Sequence, residues 1–190
     1  MSKLSVELGL PGLKIGVSEI NLTRDRERAE INLTRDQERA ERGVGPFLFI
    51  ARQCGLALDT GYGMDNGASV IVWSTHGQQQ QFWSLWPTGY AGEFTIRAEL
   101  GGLALDATTD PHGDNPPVLW RHHGESQQRW RLLESPDGVG HFLQSVHSGK
   151  FLAMDSAGQN GWVPRFEADL DQNSWGKQWL VVRVYANKNK

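Results

Sequence analysis

Two sets of polar and aromatic residues recur at the same spacing, and their side chains suit the binding of a hydroxylated ligand. Asp59 is followed by Trp73 after fourteen residues, and Asp106 is followed by Trp120 at the same interval. A carboxylate only accepts hydrogen bonds, whereas a glutamine amide donates and accepts, so together they can bind hydroxyl groups in either sense. An indole ring adds an apolar face for stacking. A shallow concavity with a few convergent polar groups is typical of a small-molecule site.

Other kinds of site chemistry have no comparable pattern. The histidines include His76, His112 and the pair His122-His123, but none falls in a metal-ligand motif such as His-Glu-x-x-His. Cys54 is the single cysteine, so no internal disulfide can form. No phosphate-binding glycine loop or nucleophile elbow is present. The sequence therefore predicts a non-enzymatic binding protein without a cofactor or metal. We expect the loop histidines to be exposed or, for His76, His122 and His123, to contact a ligand at a site rim.

The spacing belongs to an internal repeat. The aligned segments are 55–59, 70–73 and 80–83 in the first unit, 102–106, 118–120 and 127–130 in the second, and 150–155, 163–166 and 177–179 in the third. The intervals from Asp59 to Asp106 and from Asp106 to Asp155 are 47 and 49 residues. The second tryptophans of the units are separated by the same two intervals, at Trp83, Trp130 and Trp179. This agreement predicts that Asp155 is the counterpart of Asp59 and Asp106.

Each unit has the pattern of short strands separated by turns. Runs rich in β-formers, such as 47–50, 56–59, 70–73 and 82–85, are separated by Gly-containing stretches. Four strands in each of three units give twelve, and one unit cannot bury its own apolar face. The predicted fold is therefore all-β, a β-trefoil of three pseudo-symmetric repeats over residues 47–185, behind an N-terminal extension of residues 1–46. The repeats span about 47–92, 93–139 and 140–185.

The Leu-Asp pair, the downstream Trp and the Gln-x-Trp motif, repeated at this spacing, resemble the ricin-B-type lectin domain. The resemblance covers about 139 of the 190 residues. It implies a carbohydrate-binding module in which the Asp binds hydroxyl groups, the downstream Trp stacks on the sugar, and the amide before the Gln-x-Trp glutamine completes the site. Carried over by position, the resemblance implies two sugar sites, one made of Asp59, Trp73 and Gln80 and the other of Asp106, Trp120 and Gln127.

Two departures from the family pattern affect the expected ligand. The family usually has Asn where Gln80 and Gln127 stand, and the longer Gln can make the same kinds of bond. The family's polar residue two positions before the stacking Trp is replaced by Ile71 and Val118. Loss of one hydrogen bond, at ~0.5–1.5 kcal/mol, predicts several-fold weaker binding in each site. The expected partner is a glycan, and the galactose-type preference of the family stays one option.

The third repeat departs further. Its best aromatic match, Phe166, lies three residues closer to Asp155 than the spacing of the other repeats, and Lys177 replaces the glutamine of the motif. We expect no sugar site there. The Gln-x-Trp motifs themselves are expected to be structural. Their tryptophans should form the core, at Trp83, Trp130 and Trp179, and their glutamines should bond to the main chain of a turn, at Gln81 and Gln128.

The site residues also allow a structural interpretation. Asp59 and Asp106 could cap the turns that follow them. Trp73 and Trp120 lack such an explanation, because the other tryptophans already fill the core. A trefoil can also persist as a protein-interaction module after losing sugar binding, or target a pore-forming or toxin-like protein. These functions remain alternatives to a lectin.

The charge and composition of the chain limit the classes of binding partner and the expected location. The formal net charge is −3, which gives no basic surface for nucleic acid or for an anionic membrane. The N-terminus lacks the apolar core of a signal peptide, and no apolar run reaches the ~18 residues of a membrane span. The expected location is cytoplasmic, or outside the cell after export without a signal peptide.

The N-terminal extension carries two patterns of its own. Apolar residues alternate on both sides of Pro11-Gly12, as in a β-hairpin, and residues 20–30 recur at 31–41 with one change. The tandem repeat fits either a long helix or strands with a short helix, and the predicted extension is of mixed strand and short helix. Because an isolated hairpin is marginally stable, the extension is a candidate for docking or homo-oligomerisation. Insertion into a membrane is the alternative.

Overall fold

The computed structural model describes residues 43–110, 112–155, 157–169 and 174–185. Within these ranges the chain forms short 3-10 turns at Gln79–Gln81, Ser126–Gln128 and Trp175–Lys177. The strands are β1 (Val44–Ala51), β2 (Ala57–Asp59), β3 (Ala68–Ser69), β4 (Ile71–Trp73), β5 (Trp83–Pro87), β6 (Glu93–Ala98), β7 (Ala104–Asp106), β8 (Val118–Trp120), β9 (Trp130–Glu134), β10 (His141–Ser145), β11 (Phe151–Ala153), β12 (Arg165–Glu167) and β13 (Gln178–Arg183).

Residues 1–42 of the predicted N-terminal extension lie outside the described residues. Its last residues belong to the domain, since β1 begins at Val44. No helix in the described part of the chain is long and apolar enough to cross a membrane.

Six strands close into a barrel. The antiparallel pairs run in a ring from β1 to β5, β6, β9, β10, β13 and back to β1. Six of the other strands form one hairpin in each repeat, with β2 against β4, β7 against β8 and β11 against β12. This arrangement confirms the predicted all-β trefoil.

The predicted strand 70–73 is observed as β4, which begins one residue later at Ile71 and pairs with β2 of the same repeat. The residues just before Val70 form β3, which pairs instead with β8 of the second repeat, so that Ala68 lies opposite Leu119. The described residues therefore contain thirteen strands rather than twelve, and the extra one joins two repeats.

Three tryptophans from the barrel strands fill the core. Trp83, Trp130 and Trp179 are fully buried. Each indole N–H donates to a main-chain carbonyl of its own repeat's hairpin, at Leu58 (3.0 Å), Leu105 (2.9 Å) and Leu152 (2.9 Å). A buried indole N–H needs such a partner. These bonds hold each hairpin against the barrel and identify the equivalent residues of the three repeats.

This equivalence corrects the alignment of the third repeat. Leu58, Leu105 and Leu152 follow one another at a constant interval of 47 residues, so the residue after the leucine is Asp59, Asp106 or Ala153. The expectation that Asp155 occupies this position is wrong. The two additional residues of the third repeat lie after Leu152, because 27 residues separate Leu152 from its Trp, against 25 in the other repeats.

Candidate functional site

The hairpin of the first repeat brings an aspartate and a tryptophan to one outer face. In β4, Val72 points into the core, while Ile71 and Trp73 point to the other side of the strand. Asp59 lies directly opposite Ile71. The second repeat has the same register, with Asp106 opposite Val118.

The tryptophans of these faces stay accessible. Trp73 is 40% exposed and Trp120 is 41% exposed, unlike the fully buried core tryptophans. Ile71 and Val118 are half-buried beside them. Each site thus presents an indole face and an aliphatic side chain next to a carboxylate, a surface suited to a ligand with both C–H and hydroxyl groups.

Each aspartate uses its two oxygens differently. Asp59 Oδ1 accepts the Gly61 amide at 2.7 Å, and Asp106 Oδ1 accepts the Thr108 amide at 2.7 Å. Asp59 Oδ2 lies 3.2 Å from His76 Nε2, and Asp106 Oδ2 lies 3.3 Å from His123 Nε2. One oxygen therefore caps the following turn while the other lies beside a partly exposed histidine, so turn capping and a binding role are compatible for these aspartates.

The two histidines are held in one tautomer by their own loops. The amide of Gln78 donates to His76 Nδ1 at 3.2 Å, and the amide of Glu125 donates to His123 Nδ1 at 3.2 Å. Because Nδ1 accepts a bond, the proton of the neutral ring resides on Nε2. The Nε2–H group is thereby directed at the aspartate oxygen and can be shared with a ligand hydroxyl.

The motif glutamines tie the histidine loop to the strand that carries the exposed tryptophan. Gln81 Oε1 accepts the His76 amide at 3.0 Å, and Gln81 Nε2 donates to the Ser74 carbonyl at 3.1 Å. Gln128 does the same with the His123 amide at 2.8 Å and the Arg121 carbonyl at 3.0 Å. Both glutamines are completely buried, which fits a scaffolding role.

The glutamines before the motif lie beside the aspartate turns. The Gln80 carbonyl accepts the amide of Thr60, the residue after Asp59, at 2.9 Å. The Gln127 carbonyl accepts the Ala107 amide at 2.8 Å. The Gln80 side chain is buried and the Gln127 side chain is half-buried. The main chain of each glutamine therefore lies beside the aspartate turn of its own repeat, and the Gln80 side chain is more deeply buried than that of Gln127.

The two sites differ in how fully the carboxylate is used. Gln128 Nε2 donates to Asp106 Oδ2 at 2.9 Å. In the first repeat, the described side-chain contact of Asp59 Oδ2 is with His76. Next to the second site, burial lowers the pKa of His122, assisted by the positive charge of Arg97. Among the described contacts, Asp59 Oδ2 therefore accepts from fewer side chains than Asp106 Oδ2 does.

The third repeat has an ion cluster at the corresponding place. The register puts Arg165 and Glu167 of β12 opposite Ala153 and Phe151, where the other repeats have an aliphatic residue and the exposed tryptophan. Glu167 Oε1 pairs with Arg165 at 2.5 Å, and Glu167 Oε2 pairs with Lys177 at 3.0 Å. Burial acts to raise the pKa of Glu167, but hydrogen bonds from Lys177 and Arg165 hold it below its ordinary value.

Phe166 is a core residue. It lies opposite Leu152 and stacks on Trp130 with ring centroids 5.9 Å apart. Its match to the exposed tryptophans is therefore wrong, because it corresponds to the buried Val72 and Leu119. Asp155 pairs with Arg165 at the surface.

His76 and His123 contact the aspartates of the two candidate sites, and the sequence contains a signal for them. Each is followed by glycine, each lies seventeen residues after its aspartate, and they are 47 residues apart. His122, the third candidate, corresponds to Thr75 and is not the residue that contacts Asp106. In the described part of the chain, no group of three or more His, Cys, Asp or Glu side chains has the arrangement of a metal site.

The fold and these two outward faces define the chain as a β-trefoil of the lectin class. Residues 47–179 match the family profile described as the ricin-type beta-trefoil lectin domain. The chain belongs to this family, whose domain is a carbohydrate-binding module. No curated protein sequence matches the chain.

Solved structures share the fold. The designed 3-fold symmetric protein ThreeFoil is 28% identical, with a TM-score of 0.66, over 74% of this chain and 100% of its own. The Rhizoctonia solani agglutinin is 16% identical, with a TM-score of 0.63, over 74% and 95%. The Polyporus squamosus lectin, bound to Neu5Acα2-6Galβ1-4GlcNAc, is 18% identical, with a TM-score of 0.63, over 74% of this chain and 49% of its own.

Proposed function

We propose that the protein is a non-catalytic lectin with one sugar site in the first repeat and one in the second. The observation that carries this proposal is the pairing of an exposed tryptophan with a buried aspartate that faces a histidine Nε2–H, repeated at Trp73, Asp59 and His76 and at Trp120, Asp106 and His123. Core packing does not explain the exposed indoles of Trp73 and Trp120, and a carboxylate with one oxygen beside a partly exposed histidine suits a hydroxyl donor.

Each group has a distinct part in binding. A sugar hydroxyl donates to Asp Oδ2 and accepts from the histidine Nε2–H, so one hydroxyl can bond to both. The C–H face of the pyranose ring stacks on the indole, and Ile71 or Val118 extends the apolar surface. The amide side chains of Gln80 and Gln127 serve further hydroxyl groups. Galactose-type sugars, which present a continuous apolar face on one side of the ring, are the first candidates.

We propose a non-catalytic protein because each site is built around one carboxylate. Glycoside hydrolysis ordinarily uses two carboxyl groups about 5–9.5 Å apart on either side of the scissile bond. Asp59 and Asp106 belong to different repeats, and each shares its site with a histidine rather than a second acid.

The test compares near-isosteric substitutions. With Oδ1 of the asparagine kept for the Gly61 or Thr108 amide, Asp59→Asn and Asp106→Asn put an N–H donor against the histidine Nε2–H, where a sugar hydroxyl donates, so circular dichroism first checks that each variant is folded. Asp155→Asn, at the surface of the third repeat, is the matched control. A glycan array identifies the ligand, and isothermal titration with it counts the sites.

We expect two sites in the wild-type protein and in the Asp155→Asn control, one site in each of the other single variants, and none in the double variant. If no folded protein binds any glycan, the sites are structural turns, and the protein-interaction module becomes the better description. Unchanged binding by the double variant would also defeat the proposal.

A further inference from the structure

Trp73 and Trp120, the tryptophans of the two candidate sites, are each held from the side by a loop of the preceding repeat around the barrel. Asn160, in the third repeat, accepts the main-chain amide of Ser74 with Oδ1 at 2.7 Å and the Ser74 hydroxyl at 3.0 Å. Asn66, in the first repeat, accepts the main-chain amide of Arg121 at 2.7 Å. Ser74 and Arg121 are the residues directly after Trp73 and Trp120.

A glycine after each asparagine completes the contact. The Gly161 amide donates to the Val72 carbonyl at 2.9 Å, and the Gly67 amide donates to the Leu119 carbonyl at 2.8 Å. Both glycines have positive φ, +87° and +85°, a conformation that side-chain-bearing residues rarely adopt. A Cβ at either glycine would lie 3.7 Å from the indole Cζ3 of the tryptophan. The Asn-Gly backbone therefore lies against the edge of the ring.

At each site, the Asn-Gly pair bonds to the main chain on both sides of the tryptophan. The carbonyl before it and the amide after it are both bonded to the same Asn-Gly pair, in the same geometry at both sites. The tryptophan, the aspartate and the histidine come from one repeat, but the support of the tryptophan comes from another. An isolated repeat would lack it.

The remaining interface between repeats provides an internal comparison. In the second repeat the equivalent positions are Gly113 and Asp114, which lie 47 residues after Asn66 and Gly67. Their main-chain amides bond within their own loop, to Asp110, and the Asp114 carboxylate pairs with Lys150 at 2.8 Å. The strand that this loop would support carries Glu167 instead of an exposed tryptophan. The Asn-Gly pair and the tryptophan are present together twice and missing together once.

We infer that Asn66 and Asn160 are positioning residues for sugar binding, each acting on the site of the neighbouring repeat. Asn160 orients Trp73 in the first site, and Asn66 orients Trp120 in the second. The inference rests on the proposed lectin function for its effect on affinity, but the effect on the indoles is independent of any sugar. Loss of one such hydrogen bond should weaken the site that it supports by about two- to tenfold.

The binding test isolates one site at a time. In an Asp106→Asn background, which retains the first site, Asn160→Ala should weaken binding of the array-selected glycan by about two- to tenfold. In an Asp59→Asn background, Asn66→Ala should do the same to the second site. Asn→Asp at either position keeps an oxygen acceptor and should restore most of the affinity. Asn115→Ala, in the exposed loop of the second repeat, is the control that changes neither site.

A measurement without sugar keeps the inference testable if no glycan is found. In protein labelled with 15N, the indole signals of Trp73 and Trp120 are assigned from Trp→Phe variants. Asn160→Ala should lower the heteronuclear NOE of the Trp73 indole and leave that of Trp120 unchanged, and Asn66→Ala should do the reverse. Failure of sugar binding with this crossed pattern rejects only the lectin proposal. Indoles that stay equally rigid, or that respond together, reject the positioning role.

Discussion

Replacing the site histidines should reveal the difference between the two carboxylates. His76→Ala removes the described side-chain donor of Asp59 Oδ2, whose side chain is 4% exposed. A buried acceptor left without a partner costs about 1–3 kcal/mol. His123→Ala leaves Asp106 Oδ2 with the Gln128 amide at 2.9 Å, so its cost should be that of one exchanged hydrogen bond, about 0.5–1.5 kcal/mol. Each variant also loses the same bond at Nδ1.

The assay is chemical denaturation of the two variants and the wild-type protein, with thermal unfolding as a second measure. A difference of 1 kcal/mol corresponds to about 3–4 °C in Tm for a domain of this size. His76→Gln, whose amide can donate to Asp59, should recover part of the loss. His112→Ala is a control at an exposed loop position.

Equal destabilisation by His76→Ala and His123→Ala would refute this reasoning, because Gln128 would then give no protection to Asp106. A larger loss for His123→Ala would do so more strongly. In the glycan titration, the same asymmetry should appear as a stronger dependence of the first site on its histidine.

Further predictions concern the core, the stacking residues and the acid range. Thr60 is buried and its hydroxyl has no partner among the described residues, so Thr60→Val should raise the free energy of unfolding by about 1 kcal/mol in urea titrations; a loss would mean that the hydroxyl is bonded. Trp73→Ala should abolish glycan binding at the first site in titrations while the protein stays folded by circular dichroism, whereas Trp83→Ala should cost about 3–5 kcal/mol of stability. The Ser135 hydroxyl is the main cause that lowers the pKa of Asp137 to about 2. Ionised Asp137 therefore stabilises the folded protein at a pH above the ordinary pKa of an aspartate, and this contribution is lost as the pH falls from about 4 towards 2. Asp137→Asn should flatten that part of a Tm-against-pH curve, and an unchanged slope would contradict the assignment.

The repeat pattern predicted the fold because its strongest markers have a structural role in every repeat. Trp83, Trp130 and Trp179 are spaced by the geometry of the barrel, and each must find a carbonyl for its indole. The exposed Trp73 and Trp120 could be separated from this set by position alone, since the core had no room for a second set.

The third repeat differs from its sequence alignment for an equally physical reason. Asp155 matched the 49-residue interval that separates Trp130 from Trp179, but the insertion responsible for that interval lies after Leu152. The indole-to-carbonyl bond shows which side of Leu152 is lengthened. The Asn-Gly support was also beyond the sequence, because the contacts join residues 55 and 86 positions apart.

The ion cluster gives the third repeat a different outer face from the other two repeats within the same fold. Lys177 stands where Gln81 and Gln128 stand in the other repeats, and its side chain is 8% exposed. A cation this buried requires a partner. Glu167, which stands where the other two repeats have the exposed tryptophan, provides one, with its Oε2 at 3.0 Å from Lys177 Nζ. The two replacements are therefore coupled, while the bond from Trp179 to Leu152 is retained.

This coupling can be measured with a double-mutant cycle on stability. Glu167→Trp alone should cost about 1.5–3 kcal/mol, because it removes a charged hydrogen bond from buried Lys177. Lys177→Gln alone should cost less, since Glu167 is 29% exposed and keeps its pair with Arg165. The double variant, which has the residues of the other two repeats, should be more stable than the sum of the single losses, with a coupling of about 0.5–3 kcal/mol. Additive losses would mean that the two replacements are independent, and that the ion pair is not what compensates for the missing glutamine.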